Sequence, residues 1–277
     1  AFVWEREEGR PVERWIRCPA CNLAGWVPTV PEDHQRLSEL PERGYHYWRV
    51  LGLLADRSDP LHPAALEFLA LYTPRTLLAV DTLLAESQAI FASPRQAELG
   101  ALARAMALAC LEACCSLQPA PGLSMPCRLR APRRFVERNV WAQFRAAADT
   151  WRQAAQTAAP LAHPVSLHQG SVRELTASLG QTRARLALLS PPQPHPVYWH
   201  LAYFWTCWLL GREVGEQVRP LLRLAGPAWS WYVHSLAASL QALRPVLAQD
   251  APVLLAFRQE RVLAEADGLK HHQIGSG

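Results

Sequence analysis

The feature that most restricts the fold of this chain is a pair of adjacent prolines directly after a short apolar run. Residues 185–189 read as a buried strand, and they are followed by Ser190, Pro191, Pro192 and Gln193. Because proline has no backbone N–H, two prolines in a row prevent the strand from pairing onward. The turn is rigid and leaves the Pro191 carbonyl free to accept a hydrogen bond. The pair either holds a ligand at the strand end or simply stops the strand.

The residues around this turn alternate between strand-like and helix-like patterns. After Pro160 we predict strands over 165–168, 185–189, 252–257 and 269–274, and helices over 171–179, 196–210, 229–247 and 259–266. Strands that alternate with helices are typical of a parallel sheet with covered faces. Such sheets bind ligands at the carboxyl ends of their strands, which is where the Pro-Pro turn would lie.

The first 160 residues follow other patterns. Residues 1–30 alternate as short strands do, and residues 31–157 are helical, with a helix predicted over 135–157. Thr73-Pro74 and Ser93-Pro94 each predict a helix start, since Thr or Ser caps the helix and Pro opens it. One face of the second of these helices carries Leu99, Leu102, Met106 and Cys110. We therefore divide the chain into a β segment (1–30), a helical region (31–160) and an α/β region (161–277).

The composition favours a folded protein with a sizeable core. Half of the 277 residues are hydrophobic and 19% are charged, which argues against disorder over most of the length. The seven cysteines are odd in number and clustered, unlike a secreted disulfide framework. The longest uncharged apolar stretch, residues 196–211, is shorter than the roughly 18–20 residues of a membrane-spanning helix. We expect a soluble, cytoplasmic protein with no membrane partner.

Arginine supplies nearly all of the basic charge, and the formal net charge is +4. This balance permits a polyanionic partner without requiring one. Five arginines lie close together with no acid before Glu137, namely Arg128, Arg130, Arg133, Arg134 and Arg138. They form the candidate DNA-binding patch, because guanidinium groups suit phosphates and base edges. The alternative is a solvated loop in a chain whose arginine content reflects its gene's base composition.

Cys18 and Cys21 have the spacing of half a zinc knuckle. A structural zinc site needs four ligands, and the sequence holds no second Cys-x-x-Cys. The remaining ligands of a zinc site could come from other parts of the sequence, namely His34, His46, Cys110, Cys114 and Cys115. The alternative is a zinc-ribbon-like segment that has kept its fold without metal.

The Ser190–Gln193 stretch resembles the Asp/Asn-Pro-Pro-Tyr/Phe motif of the amino-DNA methyltransferases, which methylate exocyclic amines of adenine or cytosine. Residues 170–175 are similar to the strand-to-helix turn that often precedes that motif. Residues 72–75 and 135–141 resemble landmarks of adenine-specific DNA methylase-like proteins that carry a Cys-x-x-Cys insertion. The resemblance implies S-adenosylmethionine as methyl donor, DNA as partner, and a partial Rossmann-like methyltransferase sheet in residues 161–277, with residues 31–160 as a helical insertion for recognition.

The resemblance also implies roles for the four residues of the motif. Ser190 and the Pro191 carbonyl would accept hydrogen bonds from the target amine, and Gln193 would take the position of the stacking aromatic residue. Pro192 matches the second proline of the motif. Two departures from the family's motif would weaken methyl transfer. Serine replaces the usual Asp or Asn, and glutamine has no π face on which a flipped base could stack. Tyr198 or Trp199 could supply that ring.

The donor-binding part of the family's pattern is missing from the body of this chain. No Gly-rich turn follows a strand, and Gly275-Ser276-Gly277 lies at the very end with no helix after it. We therefore expect that the donor-binding half precedes Ala1 and that the chain is truncated at both ends. A half-sheet of this kind would expose apolar faces and edges, so we also expect the chain alone to aggregate.

Three functions remain open from the sequence. The first is methyl transfer to DNA, and the second is a catalytically inactive DNA-binding or scaffold protein derived from the same family. The third is a helical interaction module with no nucleic-acid role. The target base, the recognition sequence and the oligomeric state are not indicated by any motif.

Overall fold

The computed structural model describes residues 1–22, 24–117, 128–157, 168, 170–191, 195–223 and 229–256. Its N-terminal part is an antiparallel sheet of four strands in the order β3-β2-β1-β4. The strands are β1 (Phe2–Glu5), β2 (Arg10–Arg17), β3 (Ala24–Pro28) and β4 (Arg134–Glu137). The β character predicted for residues 1–30 is confirmed, and the fourth strand comes from much later in the chain.

β4 corrects the predicted helix over 135–157. The helix α6 begins at Val140 instead, and residues 134–137 pair with β1, with Val3 opposite Val136. Phe135 stacks on Trp4 with ring centroids 6.3 Å apart. This pairing joins segments far apart in sequence, and such tertiary contacts override local propensity without leaving a local signal.

Helices make up most of the rest of the described chain. The first five are α1 (Pro31–Ser38), α2 (Tyr45–Leu54), α3 (His62–Leu69), α4 (Pro74–Ile90) and α5 (Ala97–Cys114). The others are α6 (Val140–Thr157), α7 (Leu175–Leu179), α8 (Pro196–Leu210), α9 (Arg212–Arg223) and α10 (Trp229–Leu243). The predicted start of α4 is confirmed, because the Thr73 hydroxyl accepts a hydrogen bond from the Thr76 N–H at 3.2 Å.

A single apolar core joins α2, α3, α4, α5 and α8. Phe68 of α3 lies at its centre, with its ring centroid 5.0 Å from that of Phe204 on α8. The Tyr72 hydroxyl is buried there and accepts a hydrogen bond from Trp205 Nε1 at 2.7 Å. The core therefore unites residues that we assigned to the helical region with a helix that we assigned to the α/β region.

A parallel pair of strands, β5 (Ala187–Leu189) and β6 (Val253–Leu255), is separate from the antiparallel sheet. The predicted parallel pairing of these segments is confirmed, with Leu188 opposite Leu254. Leu188 and Leu254 share one face of this pair and are 70% and 55% exposed. The prediction of a buried strand over 185–189 is therefore wrong for this face, because an apolar run alone does not indicate what packs against it. The chain is thus a mixed α and β protein dominated by helices, and the Rossmann-like arrangement stays a prediction.

Several expected elements lie outside the described residues. They include the strands over 165–167 and 269–274, the helix over 259–266 and the terminal Gly275-Ser276-Gly277. Within the described ranges, no single helix is long and apolar enough to cross a membrane. The consecutive helices α3 and α4 meet that test only together, and they are bent by 101° at their junction.

Candidate functional site

Ser190 and Pro191, the described part of the Pro-Pro motif, directly follow a parallel strand, as the sequence predicted. β5 ends at Leu189, whose carbonyl accepts a hydrogen bond from the Ala256 N–H at 2.8 Å. Ser190 is exposed and Pro191 is half-buried, whereas Pro192 and Gln193 lie outside the described residues. The predicted strand end is confirmed, and the roles of Ser190, Pro191, Pro192 and Gln193 toward a target amine stay predictions.

A basic cavity of about 680 Å³ is the strongest candidate binding site. Its cationic groups are Arg6, from the 3-10 turn between β1 and β2, and Arg128 and Arg130, from the segment before β4. Its apolar walls come from α3, α8 and the segment before β4, and include Ala64, Leu129, Ala131 and Val197. Four parts of the chain that are distant in sequence therefore converge on one opening.

The cavity has an excess of positive charge. Among the described lining residues, three arginines face one acid, Glu67. The Arg6 guanidinium is held in place because its Nε donates to the Pro132 carbonyl at 3.2 Å and its Cζ lies 4.9 Å from the Phe135 ring centroid. Burial lowers the pKa of Arg6 from its ordinary value. A partly buried cation favours an anionic partner.

The helix that follows the Pro-Pro turn also reaches this cavity. α8 begins at Pro196, and Val197 and His200 in its first turns line the opening. Ser190 and Pro191 are not among the described lining residues. The structure thus brings Arg128 and Arg130 of the predicted patch beside the start of α8. The sequence did not indicate Arg6 or His200 as site residues, because nothing in their local sequence shows that the fold brings them to this cavity.

The other three arginines of the predicted patch are separated from the cavity. Arg133 Nε donates to Glu5 at 2.8 Å, and Arg134 Nη2 donates to Glu13 at 2.8 Å. Arg138 follows β4 at the opposite end of that strand. The acids of β1 and β2 were remote in the sequence, yet the sheet places them opposite Arg133 and Arg134. The patch therefore splits: Arg133 and Arg134 pair with acids of the sheet, Arg138 lies at the far end of β4, and Arg128 and Arg130 line the basic cavity.

Glu137 joins the two sequence landmarks at residues 72–75 and 135–141. Its carboxylate is buried, and each oxygen accepts two hydrogen bonds. Oε1 accepts from the Thr73 hydroxyl at 2.6 Å and from Arg75 Nε at 3.1 Å. Oε2 accepts from Trp4 Nε1 at 2.6 Å and from Arg75 Nη2 at 2.9 Å. With its acceptors in use, Glu137 connects β4, β1 and α4 rather than serving as a catalytic base.

Cys18 and Cys21 lie at the tip of the β2–β3 hairpin, as a zinc knuckle would. The backbone N–H and thiol of Cys21, followed by the backbone N–H of Ala20, stabilise the Cys18 thiolate and lower its pKa. The possible partners His34 and His46 are bound elsewhere, to Thr29 and to Asp81. The residues that the structure describes contain no group of three or more metal-ligating side chains. They supply two ligands and do not complete a zinc site.

The helix cysteines do not join that hairpin tip either. Burial raises the pKa of Cys110 to about 11, of Cys114 to about 12 and of Cys115 to about 11. Thiols of this kind remain protonated at neutral pH and behave as small buried hydrophobic groups. Cys110 and Cys114 are core residues of α5, and Cys115 is a core residue directly after that helix.

Comparisons of the chain with protein families, with curated proteins and with solved structures found no match. The function is therefore inferred from the basic cavity, the Pro-Pro motif and the hairpin tip.

Proposed function

We propose that this chain is a DNA-binding protein that holds the phosphodiester backbone in the basic cavity of Arg6, Arg128 and Arg130. The observation that carries the proposal is the excess of three arginines over one acid on a concave surface. Guanidinium groups bind phosphate oxygens through two parallel N–H bonds, and a concave site concentrates the field. The resemblance of the Pro-Pro turn to DNA methyltransferases supports DNA as the polyanion.

The test compares the affinity for a DNA duplex of two charge-reversal variants. Arg128→Glu with Arg130→Glu should weaken binding at least tenfold and reduce the slope of log affinity against log salt by about 2, one phosphate for each arginine. Arg57→Glu with Arg95→Glu is the matched control, because it reverses the same number of charges at two exposed arginines that do not line the cavity. Loss of the same size in the control would show only an effect of net charge and would contradict the proposal.

Arg133 and Arg134 should contribute less to DNA binding than the cavity arginines. Both are already paired with carboxylates of the sheet, so their guanidinium donors are less available to a phosphate. A loss of affinity concentrated at these two positions would place the binding surface on the sheet edge and not in the cavity.

Methyl transfer is the second candidate, and it is supported by the position of Ser190 at the carboxyl end of a parallel strand. The cavity does not fit S-adenosylmethionine, whose sulfonium group is cationic like the three arginines. No residue of the cavity is therefore assigned a role in methyl transfer. Incubation with DNA and radiolabelled S-adenosylmethionine tests this candidate. Incorporation that disappears in Ser190→Ala would establish it, and absence of incorporation with intact DNA binding leaves the inactive DNA-binding protein.

The interaction-module alternative has its own supporting feature. An apolar groove of about 820 Å³ lies between α4, α5 and α6. Leu99, Leu102 and Met106, which we predicted to share one helix face, line this groove and not the core. Unchanged DNA affinity in the Arg128 and Arg130 double variant would favour this alternative.

A further inference from the structure

The outward face of the four-stranded sheet carries two adjacent exposed tryptophans. Trp15 of β2 and Trp26 of β3 are directly opposite each other in the ladder and are 45% and 41% exposed. Their ring centroids are 5.4 Å apart with an interplanar angle of 71°. Residues that pair across strands share a face of the sheet, so both rings stand on one side.

The opposite face of the same sheet is the packed one. Trp4 stacks on Phe135 there and donates to Glu137, and Arg75 of α4 lies 4.7 Å from the Phe2 ring centroid. The core therefore does not need Trp15 and Trp26, and burial does not account for them. Large exposed apolar patches are uncommon on soluble proteins, and where they occur they often mark binding surfaces. The two adjacent rings form such a patch.

The charged residues on this face favour an anionic partner. Arg17 follows Trp15 on the same side of β2, is exposed, and has no carboxylate within ion-pair distance among the described residues. Arg134 of β4 is also exposed on this face and is paired with Glu13. Glu5 lies opposite Arg134 and Arg10 and shares this face with them, so Arg10, Arg17 and Arg134 stand against Glu5 and Glu13. The face thus combines aromatic rings with an excess of one positive charge. Sheet faces of this composition bind unpaired nucleotides, whose bases stack on the rings while arginine contacts the backbone.

We propose that the outward sheet face binds single-stranded DNA by stacking unpaired bases on Trp15 and Trp26, with Arg17 contacting the adjoining phosphate. This proposal rests on the proposed function for its class of ligand, DNA. It adds that this separate surface binds the single-stranded form. The two exposed rings can accept splayed bases, whereas a duplex keeps its bases stacked and unavailable. The face and the basic cavity are therefore distinct surfaces with different chemistry.

The experiment measures affinity by fluorescence anisotropy for a labelled oligothymidylate of about 15 nucleotides, free or annealed to oligodeoxyadenylate. Trp15→Ala and Trp26→Ala should each weaken binding of the single strand about five- to a hundredfold, because stacking of one base changes affinity by that factor. Trp15→Phe should retain most of the affinity, since it keeps a ring. Trp151→Ala is the matched control, because Trp151 is 49% exposed on α6.

Each outcome either supports or overturns the proposal. Equal affinity of Trp15→Ala, Trp26→Ala and the unchanged protein for oligothymidylate would overturn it, as would no measurable binding of the single strand. Thermal melting of every variant shows whether a loss reflects unfolding, and the ring-retaining Trp15→Phe separates stacking from fold. If the Arg128 and Arg130 double variant keeps duplex affinity while the tryptophan variants lose the single strand, the proposed function fails and this inference stands.

Discussion

Glu137 shows how one side chain can fix the relation between distant segments. A buried carboxylate is costly unless every lone pair is used, and four donors satisfy this one. The sequence predicted Thr73 as a helix cap, which the structure confirms. It did not predict that the same hydroxyl donates to Glu137, because that contact depends on the tertiary fold and not on spacing along the chain.

We predict that Glu137→Gln lowers the free energy of unfolding by about 3 kcal/mol. The amide has the same shape, but its NH₂ group faces donors and leaves Arg75 without its charged partner. Urea denaturation followed by circular dichroism measures the change. Glu42→Gln is the control at an exposed position and should change stability by less than about 0.5 kcal/mol. A Glu137→Gln effect as small as that of the control would contradict the assigned role.

At the scale of elements, local signals predicted some segments well and missed others. The predicted bounds of α8 agree with the structure, because proline opens that helix and glycine follows it. The helix α9 was not predicted, although its sequence is amphipathic, because Pro220 lies inside it and proline argues against a helix interior. β4 was missed because its pairing partner is β1. The basic cavity was not predicted either, because its walls come from segments distant in sequence. Two of its arginines, Arg128 and Arg130, were identified.

α9 is held to the helical core through Asp59. Its buried carboxylate accepts from Arg212 Nη2 at 2.7 Å and from Arg219 Nη2 at 2.7 Å. Burial raises the pKa of Asp59, but the Leu61 N–H and the guanidinium groups of Arg219 and Arg212 outweigh that effect, and the net pKa is lowered. The folded state therefore binds the Asp59 proton more weakly than the unfolded state does.

This shift sets the direction of a pH dependence. A lowered pKa in the folded state contributes stability above the unfolded value of about 3.9, and that contribution is lost as pH falls through the folded value. Asp59→Asn should therefore destabilise the protein by about 3 kcal/mol at pH 7, and the difference should shrink below about pH 4. Urea denaturation at both pH values measures it. An unchanged difference at low pH would contradict the assignment, and the exposed Asp250→Asn is the control.

For the whole molecule, one core crosses the boundary that composition and rhythm indicated near residue 160. Phe204 and Trp205 of α8 pack against residues of α3 and the turn after it. Hydrophobic periodicity predicts elements but does not indicate which elements share a core. The division into three regions thus stays a description of sequence patterns, and the observed packing adds the contacts between them.

We predict that the chain self-associates through the open faces of the β5–β6 pair. Leu188 and Leu254 are apolar and strongly exposed, and unpaired strand edges favour intermolecular pairing. Leu188→Arg with Leu254→Arg should shift the protein toward the monomer in sedimentation velocity experiments. Val233→Arg, at an exposed position of α10, is the control. An unchanged protein that is monomeric and melts cooperatively would contradict the prediction.

The pairing of β1 with β4 also constrains the order of events during synthesis. Trp4 and Glu137, which are hydrogen-bonded to each other, are 133 residues apart. On the ribosome, β1 can pair with β2 at once, but its other edge has no partner until β4 emerges. Translation at roughly 5–20 residues per second leaves that edge open for several seconds to half a minute. The nascent chain therefore passes through an interval in which a chaperone could bind an edge that the finished protein hides.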